Sequence, residues 1–261
     1  MAAALQRIGR DRLAMMAGLA LVAASGWIVL VRMSAGMVEP AGAAALMPLN
    51  SNIGFGMVWL MWTAMVAAMM TPAAGPGLSA YLALARRRHS QQNIMPAATG
   101  FFAGYMVVWL GYAALGAAVQ WMLAGTALLS PMGASASIWL SAGVLAAAGV
   151  YQLTPLKHIC VTRCRNPLLQ LMGAWHDGVS GALRLGLKQG SWCIGCCWML
   201  MALMFVVGVM NLAWMAILAV FLLAEKLVPA RWHLDAAIGL LLLAAAAFLG
   251  LHPLVEPGLG T

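Results

Sequence analysis

The composition of this 261-residue chain excludes a water-soluble globular protein, since 64% of its residues are hydrophobic and only 8% are charged. A soluble domain carries about 25% charged residues, so we predict an integral membrane protein in the lipid bilayer, without room for a separate soluble enzymatic domain. The net charge of +8 does not indicate nucleic-acid binding, because the basic residues stand in short segments beside apolar runs, where they set membrane orientation.

Seven apolar runs follow one another along the chain and predict an all-α polytopic integral membrane helix bundle of about seven transmembrane helices. The runs are 13–31, 53–84, 95–124, 136–153, 191–209, 212–228 and 234–251. The second run is longer than a straight span needs, and Pro72 and Pro76 predict a kink or a break in it. No small-residue cleavage site precedes Arg32, so we expect the first run to be a retained anchor helix and not a signal peptide.

The basic residues predict the orientation of these helices. They precede the first run and follow the second, fourth and sixth: Arg7, Arg10, Arg12, Arg86, Arg87, Arg88, Lys157, Arg163, Arg165, Arg184, Lys188, Lys226 and Arg231. All but Arg32 of the 14 Lys and Arg residues would therefore lie on one side of the membrane. The positive-inside rule then predicts a multi-pass protein of the inner (cytoplasmic) membrane with a cytoplasmic amino terminus and an external carboxyl terminus.

This orientation divides the chain into two regions. We expect residues 1–35 to form the cytoplasmic amino terminus and first transmembrane helix, and residues 36–261 to form the main transmembrane domain, with a cytoplasmic loop at 154–190. Within that loop, the mixture of apolar and polar residues over 168–187 predicts an amphipathic helix along the membrane interface.

Five cysteines fall in two groups at the cytoplasmic ends of adjacent predicted spans. They are Cys160 and Cys164 after the fourth run, and Cys193, Cys196 and Cys197 at the start of the fifth. Each group shares one helical face, so five thiols could meet at one depth. Reduced thiolates are soft ligands that select Cu(I), zinc or iron–sulfur clusters, and His158 and His176 are candidate nitrogen ligands nearby.

Two other functions for these thiols stay open. Buried membrane cysteines also serve as small apolar packing residues, and a purely structural subunit would tolerate their removal. Cys193 and Cys196 form a CxxC motif, which can cycle between dithiol and disulfide in a redox or redox-sensing protein.

Methionines add a second group of soft ligand atoms. Met57, Met61, Met65 and Met69 recur every four positions in the second run, and Met70 follows directly. Thioethers suit Cu(I), although a methionine stripe is also an ordinary packing surface.

Two polar residues of the sixth run and its border have both structural and functional interpretations. Glu225 lies at the inner end of the run, where it could anchor the helix at the interface, bind a metal or accept a proton. Asn211 stands just before the run, where it most simply caps the helix or turns the chain.

Three stretches together resemble a bacterial family of predicted metal-binding integral membrane proteins, domain of unknown function 2182. They are WTAMVAAMMTP at 62–72, YQLTPLKHICVTRCRNP at 151–167, and 186–226 with GSWCIGCCWMLM, GVMNLAWM and EK. The resemblance implies a polytopic fold with a metal-binding role. It also implies that some relatives function in copper assembly or with copper-dependent membrane enzymes. The ligands it implies are Met65, Met69, Met70, Cys160, Cys164, Cys193, Cys196, Cys197, Met210, Asn211 and Glu225.

These observations combine into one hypothesis. The 36–261 region would be a metal-binding transmembrane domain that holds Cu(I), with zinc or another soft metal as the alternative, and delivers or transports it to a membrane cuproenzyme or a copper chaperone. No nucleotide-binding loop, serine nucleophile elbow or HExxH pair occurs in the chain, so the sequence gives no support for a nucleotidase or a hydrolase.

Overall fold

The computed structural model describes residues 2–38, 52–88, 94–124, 129, 134–228 and 234–255. Apart from an isolated bridge between Leu129 and Ser135, every regular element in these ranges is a helix. The helices are α1 Ala2–Val38, α2 Asn52–Arg88, α3 Met95–Ala124, α4 Ile138–Gln152, α5 Pro155–Arg165, α6 Pro167–Gly173, α7 Gly178–Ala202, α8 Met204–Val207, α9 Leu212–Leu227 and α10 Leu234–Val255. The predicted all-α fold class is confirmed.

Five segments of the described chain are long and apolar enough to cross a membrane. They are Asp11–Ala35, Gly54–Arg88, Met95–Ala124, Gly178–Val207 and Leu234–Leu251. Helices α4 and α5 qualify together as a sixth span, although they are bent by 64°. Several long apolar helices are what a multi-pass membrane protein requires.

The bend between α4 and α5 follows from the residues at the junction. Pro155 has no backbone N–H and disfavours helical backbone at the residue before it, which favours the end of α4 before Thr154. The Thr154 hydroxyl accepts a hydrogen bond from the Lys157 backbone N–H at 3.3 Å and so starts the new helix. This turn directs α5, which carries Cys160 and Cys164.

Three local expectations bear on this architecture. The kink or break predicted at Pro72 and Pro76 is not a break, because both prolines lie inside the single helix α2. The helix expected over 168–187 is instead two helices, α6 and α7, separated at 174–177, where Trp175 donates a hydrogen bond to Asp177 and Gly178 has a φ of +80°. Arg231, which contributed to the predicted orientation, lies outside the described residues.

The described chain divides into two compact units. Unit 1 comprises 1–30, 60–115 and 160–196, and unit 2 comprises 31–59, 116–159 and 197–261. In unit 1, glycines let helices approach closely, as membrane helix packing requires. A Cβ at Gly26 of α1 would lie 2.7 Å from the Ala68 backbone nitrogen of α2. A Cβ at Gly104 of α3 would collide with the backbone of α7, and a Cβ at Gly186 of α7 would collide with the backbone of α3.

Aromatic rings fill another part of the unit 1 core. Tyr81 of α2 is stacked between Phe101 of α3 and Trp175, with ring centroids 5.1 and 5.3 Å apart. In unit 2, α4 packs against α10, and a Cβ at Gly149 would lie 2.9 Å from the Gly239 carbonyl oxygen. Each unit therefore has helices held at short distance by small residues.

Candidate metal centre

Four cysteines of unit 1 come from two helices and meet in its interior. Cys160 and Cys164 lie one helical turn apart on α5, and Cys193 and Cys196 lie one turn apart on α7. All four are buried and none is in a disulfide. The predicted meeting of the two cysteine groups is therefore observed within this unit.

Short sulfur–sulfur distances connect the two helices. The Cys196 Sγ of α7 lies 3.8 Å from the Cys164 Sγ of α5. Two sulfurs on one ion cannot be farther apart than about 4.6 Å when each metal–sulfur bond is about 2.3 Å, the value for zinc. The pair formed by Cys164 and Cys196 meets this limit without movement of the backbone.

Three thiols of α7 form a second close group. The Sγ atoms of Cys193, Cys196 and Cys197 all lie within 4.8 Å of one another, because positions i, i+3 and i+4 share one helical face. Three sulfurs bound to one ion at about 2.3 Å lie about 4 Å apart, so small rotations of these side chains would bring the three thiols onto one ion. Among the described residues this is the group of three whose donor atoms approach closely enough to hold a metal, and all its donors are sulfur.

Gly195 makes the approach of the two helices possible. A Cβ at this position would lie 2.7 Å from the Sγ of Cys160, closer than real side-chain carbons approach. The glycine therefore provides the space into which the Cys160 thiol fits. Its signal in the sequence is its place inside the Cys193–Cys197 motif.

Tyr105 of α3 is the polar contact of this centre that sequence analysis missed. Its hydroxyl oxygen lies 3.1 Å from the Cys193 Sγ and donates a hydrogen bond of 3.1 Å to the Met70 carbonyl oxygen. The side chain is fully buried, so these contacts take the place of water. A single tyrosine in an apolar run carries no signal that would have singled it out.

A cation lies on the same pair of helices. The guanidinium of Arg163, next to Cys164 on α5, stacks 4.7 Å above the Trp192 ring, next to Cys193 on α7. A cation–π contact of this kind contributes about 0.5–1 kcal/mol at an exposed site. It adds a further link between the two helices that carry the thiols.

A family model described as PpoB2, copper chaperone, matches residues 59–249. The chain belongs to the PpoB2 copper chaperone family. The match includes every residue of the predicted ligand set, and it supports a copper-related function and interaction with copper proteins in general. Neither the curated proteins nor the solved structures provide a match.

In this member of the copper chaperone family, the methionines of α2 are buried near one another along the helix. Met61, Met65, Met69 and Met70 are between 0% and 4% exposed, whereas Met57 is 40% exposed. The stripe is therefore interior over its last three turns only. The contact that links this helix to a cysteine runs through the Met70 carbonyl and Tyr105.

The remaining predicted ligands of the PpoB2 family member belong to unit 2. Asn211 caps α9, because its side-chain oxygen accepts a hydrogen bond of 3.0 Å from the backbone N–H of Trp214. The capping prediction is therefore confirmed. Met210, just before it, is partly buried. The carboxylate of Glu225 is buried and forms an ion pair with Lys157, whose Nζ lies 2.6 Å from Oε1.

The two histidines considered as extra ligands have other contacts. His158 lies in unit 2, where its Nδ1 is 3.3 Å from an Asp235 carboxylate oxygen and its side chain is 61% exposed. The Nδ1 of His176 is 3.0 Å from the Ala174 carbonyl oxygen at the surface of unit 1. Neither histidine is part of the close thiol group of α7.

Proposed function

We propose that this chaperone binds Cu(I) through Cys160, Cys164, Cys193, Cys196 and Cys197 and delivers it to a membrane cuproenzyme or another copper chaperone. The observation that carries the proposal is the 3.8 Å approach of Cys164 and Cys196 from separate helices, in a chain of a copper chaperone family. Thiolates are soft ligands, and burial keeps water from competing for the ion. Zinc is the alternative metal that the same donor set would accept.

We further propose that the chain crosses the inner membrane seven times with its amino terminus in the cytoplasm. The excess of basic residues in the segments predicted to be cytoplasmic supports the orientation, and five membrane-length helices with one bent pair support up to six of the seven crossings. The seventh crossing would be α9, whose 16 residues extend about 24 Å against a hydrocarbon core of about 30 Å. A short helix of this kind spans where the bilayer thins beside it.

Delivery requires ligands that release copper as well as bind it. We propose that the buried thioethers of Met65, Met69 and Met70 receive the ion from the thiols, with Met210 as a further thioether in unit 2. Neutral thioethers hold Cu(I) less firmly than thiolates, as a transfer path needs. The support is the burial of the three α2 methionines and the position of the Met70 backbone, whose carbonyl shares Tyr105 with the Cys193 sulfur.

The experiment that tests binding measures metal content and Cu(I) affinity of the reduced protein in detergent. A variant with all five cysteines changed to serine is compared with the native chain, and circular dichroism checks that both have the same helix content. We expect stoichiometric copper in the native protein and its loss in the variant. Copper that remains bound with full affinity in the five-serine variant would overturn the proposal.

Thiol–disulfide exchange by Cys193 and Cys196 is the second candidate, favoured by their Sγ atoms, which lie within 4.8 Å of each other. The two functions differ in what protects the thiols from alkylation. Copper chaperone activity predicts protection by Cu(I) under reducing conditions, and redox exchange predicts protection by an oxidant without copper. A structural subunit would show neither and would tolerate serine at all five positions.

A further inference from the structure

A cleft of about 980 Å³ opens in unit 1 between Asp11 and Arg12 of α1, the last turns of α2, and α6. Four arginines line it, together with one acidic residue: Arg12, Arg86, Arg87, Arg165 and Asp11. Asp11 forms an ion pair with Arg86, which leaves an excess of three positive charges around the opening. We call this feature the arginine cleft, and its charge selects an anionic ligand.

The rest of the lining is apolar. Leu82 and Ile94 are buried at the wall, and Leu168, Leu169 and Met172 of α6 are 49%, 76% and 60% exposed. Three large apolar side chains exposed on one seven-residue helix are costly in water, and they fit a helix that lies in the interface of a bilayer. The cleft therefore combines a cationic part with an adjoining apolar surface.

We propose that the arginine cleft binds one anionic phospholipid. The phosphate would lie against Arg12 and Arg87, which are exposed at the cleft, and an acyl chain would lie along Leu168, Leu169 and Met172. A free phosphate would use only the cationic part, and a neutral lipid only the apolar part, so the combination favours an anionic amphiphile. Basic pockets between membrane helices bind lipid headgroups through the same pairing of charges.

The location of the cleft supports a lipid as the occupant. Arg86, Arg87 and Arg88 form the last turn of α2, a helix long and apolar enough to span the membrane, so the cleft lies where such a helix ends. Lipid headgroups occupy this depth in a bilayer. The lining contains no cysteine, so the lipid site stands independently of the copper proposal.

The test measures lipid binding to the full chain in a neutral detergent by native mass spectrometry. The probes are phosphatidylglycerol, phosphatidylcholine with the same acyl chains, and glycerol phosphate, which lacks acyl chains. The variant carries Arg12→Gln and Arg87→Gln. The matched control carries Arg184→Gln and Lys188→Gln, which remove the same charge from exposed positions of α7 outside the cleft.

We expect the native protein to bind phosphatidylglycerol in preference to both other probes. The cleft variant should lose about thirtyfold in affinity, equivalent to about 2 kcal/mol, and the control should stay within about twofold of native. Circular dichroism of the same preparations should show unchanged helix content in the cleft variant and so reports that its fold is intact. Equal loss in variant and control, equal binding of phosphatidylcholine, or equal binding of glycerol phosphate would each overturn the proposal.

Discussion

The hydroxyl oxygen of Tyr105 lies 3.1 Å from the sulfur of Cys193, and both residues are buried. A hydroxyl carries one proton, and Tyr105 already has the Met70 carbonyl as an acceptor. When Cys193 is a thiol, its own S–H can donate to the tyrosine oxygen. When Cys193 binds a metal it carries no proton, so the tyrosine becomes the donor to the thiolate, and a charged acceptor attracts that proton more strongly than a carbonyl.

We therefore predict that Tyr105→Phe lowers Cu(I) affinity by about ten- to a hundredfold, the usual effect of removing a partner of a metal ligand. The stoichiometry of bound copper should not change, because no ligand is removed. Competition with a Cu(I) chelator of known affinity measures the change. Tyr112→Phe is the matched control, since it removes a hydroxyl from the same helix while the ring contacts of Tyr112 with Trp62 and Trp109 are retained.

Equal affinities of Tyr105→Phe and the native protein would contradict a positioning role for the hydroxyl. A lower unfolding temperature without a change in affinity would assign Tyr105 to packing alone.

A second prediction concerns Gly195, which faces the Cys160 sulfur. Gly195→Ala places a methyl group 2.7 Å from that sulfur, so the Cys160 side chain must rotate away from the other thiols. We expect Cu(I) affinity to fall about tenfold, equivalent to about 1.4 kcal/mol. Gly111→Ala on α3 is the control, because no atom lies within 4 Å of its added methyl group.

A double-mutant cycle separates displacement of Cys160 from general distortion. In a Cys160→Ser background, Gly195→Ala should lower Cu(I) affinity by no more than about twofold, since the displaced ligand is already gone. A full tenfold loss in that background would show that the alanine acts on α7 itself.

The sequence predicted the helices best where charge or proline bounds an apolar run. The predicted 95–124 span matches α3, Met95–Ala124, because Pro96 stands in the first turn of the run and Gly125 and Thr126 follow its end. The span predicted from residue 191 begins instead at Gly178, since apolar counting detects the membrane-buried part of a helix and not its polar extension. Of the kink or break predicted in α2, the break is absent, because a helix can continue through proline when neighbouring groups satisfy the freed backbone groups.

The candidate metal centre was predictable in its ligand types but not in its surroundings. The i, i+3 and i+4 spacing of Cys193, Cys196 and Cys197 predicts one helical face, and the structure shows it. The contact with Tyr105 depends on how α3 packs against α7, which no local pattern records. The pairing of Glu225 with Lys157 is likewise a tertiary contact, although an isolated carboxylate in an apolar run indicates that some partner exists.

A third prediction distinguishes a helix cap from a metal ligand at Asn211. Its side-chain oxygen accepts from the Trp214 N–H, so Asn211→Ala should destabilise the protein by about 0.5–2 kcal/mol and leave Cu(I) affinity unchanged. Asn211→Ser should restore most of the stability, because serine caps helices as well as asparagine. Thermal unfolding and copper titration of the same samples measure both effects, and a loss of copper affinity in both variants would instead identify a ligand.

The last prediction concerns the buried ion pair of Lys157 and Glu225, whose charged atoms lie 2.6 Å apart with side chains 1% and 2% exposed. Lys157→Met removes the cation and leaves a buried carboxylate without its counterion, which typically costs about 3–5 kcal/mol. Replacing both residues, Lys157→Met with Glu225→Leu, removes the charge and the desolvation cost together. We therefore expect the double variant to unfold at a higher temperature in detergent than the single variant.

Lys188→Met is the control for this pair, because Lys188 is exposed on α7 and its replacement should change the unfolding temperature little. A higher unfolding temperature of the double variant than of Lys157→Met tests the pairing directly, since only a coupled pair makes the second substitution restore stability. If the double variant were less stable than Lys157→Met by the full cost of a separate Glu225→Leu change, the two residues would be contributing independently. Packing of the aliphatic chain of Lys157 would then explain its burial in unit 2.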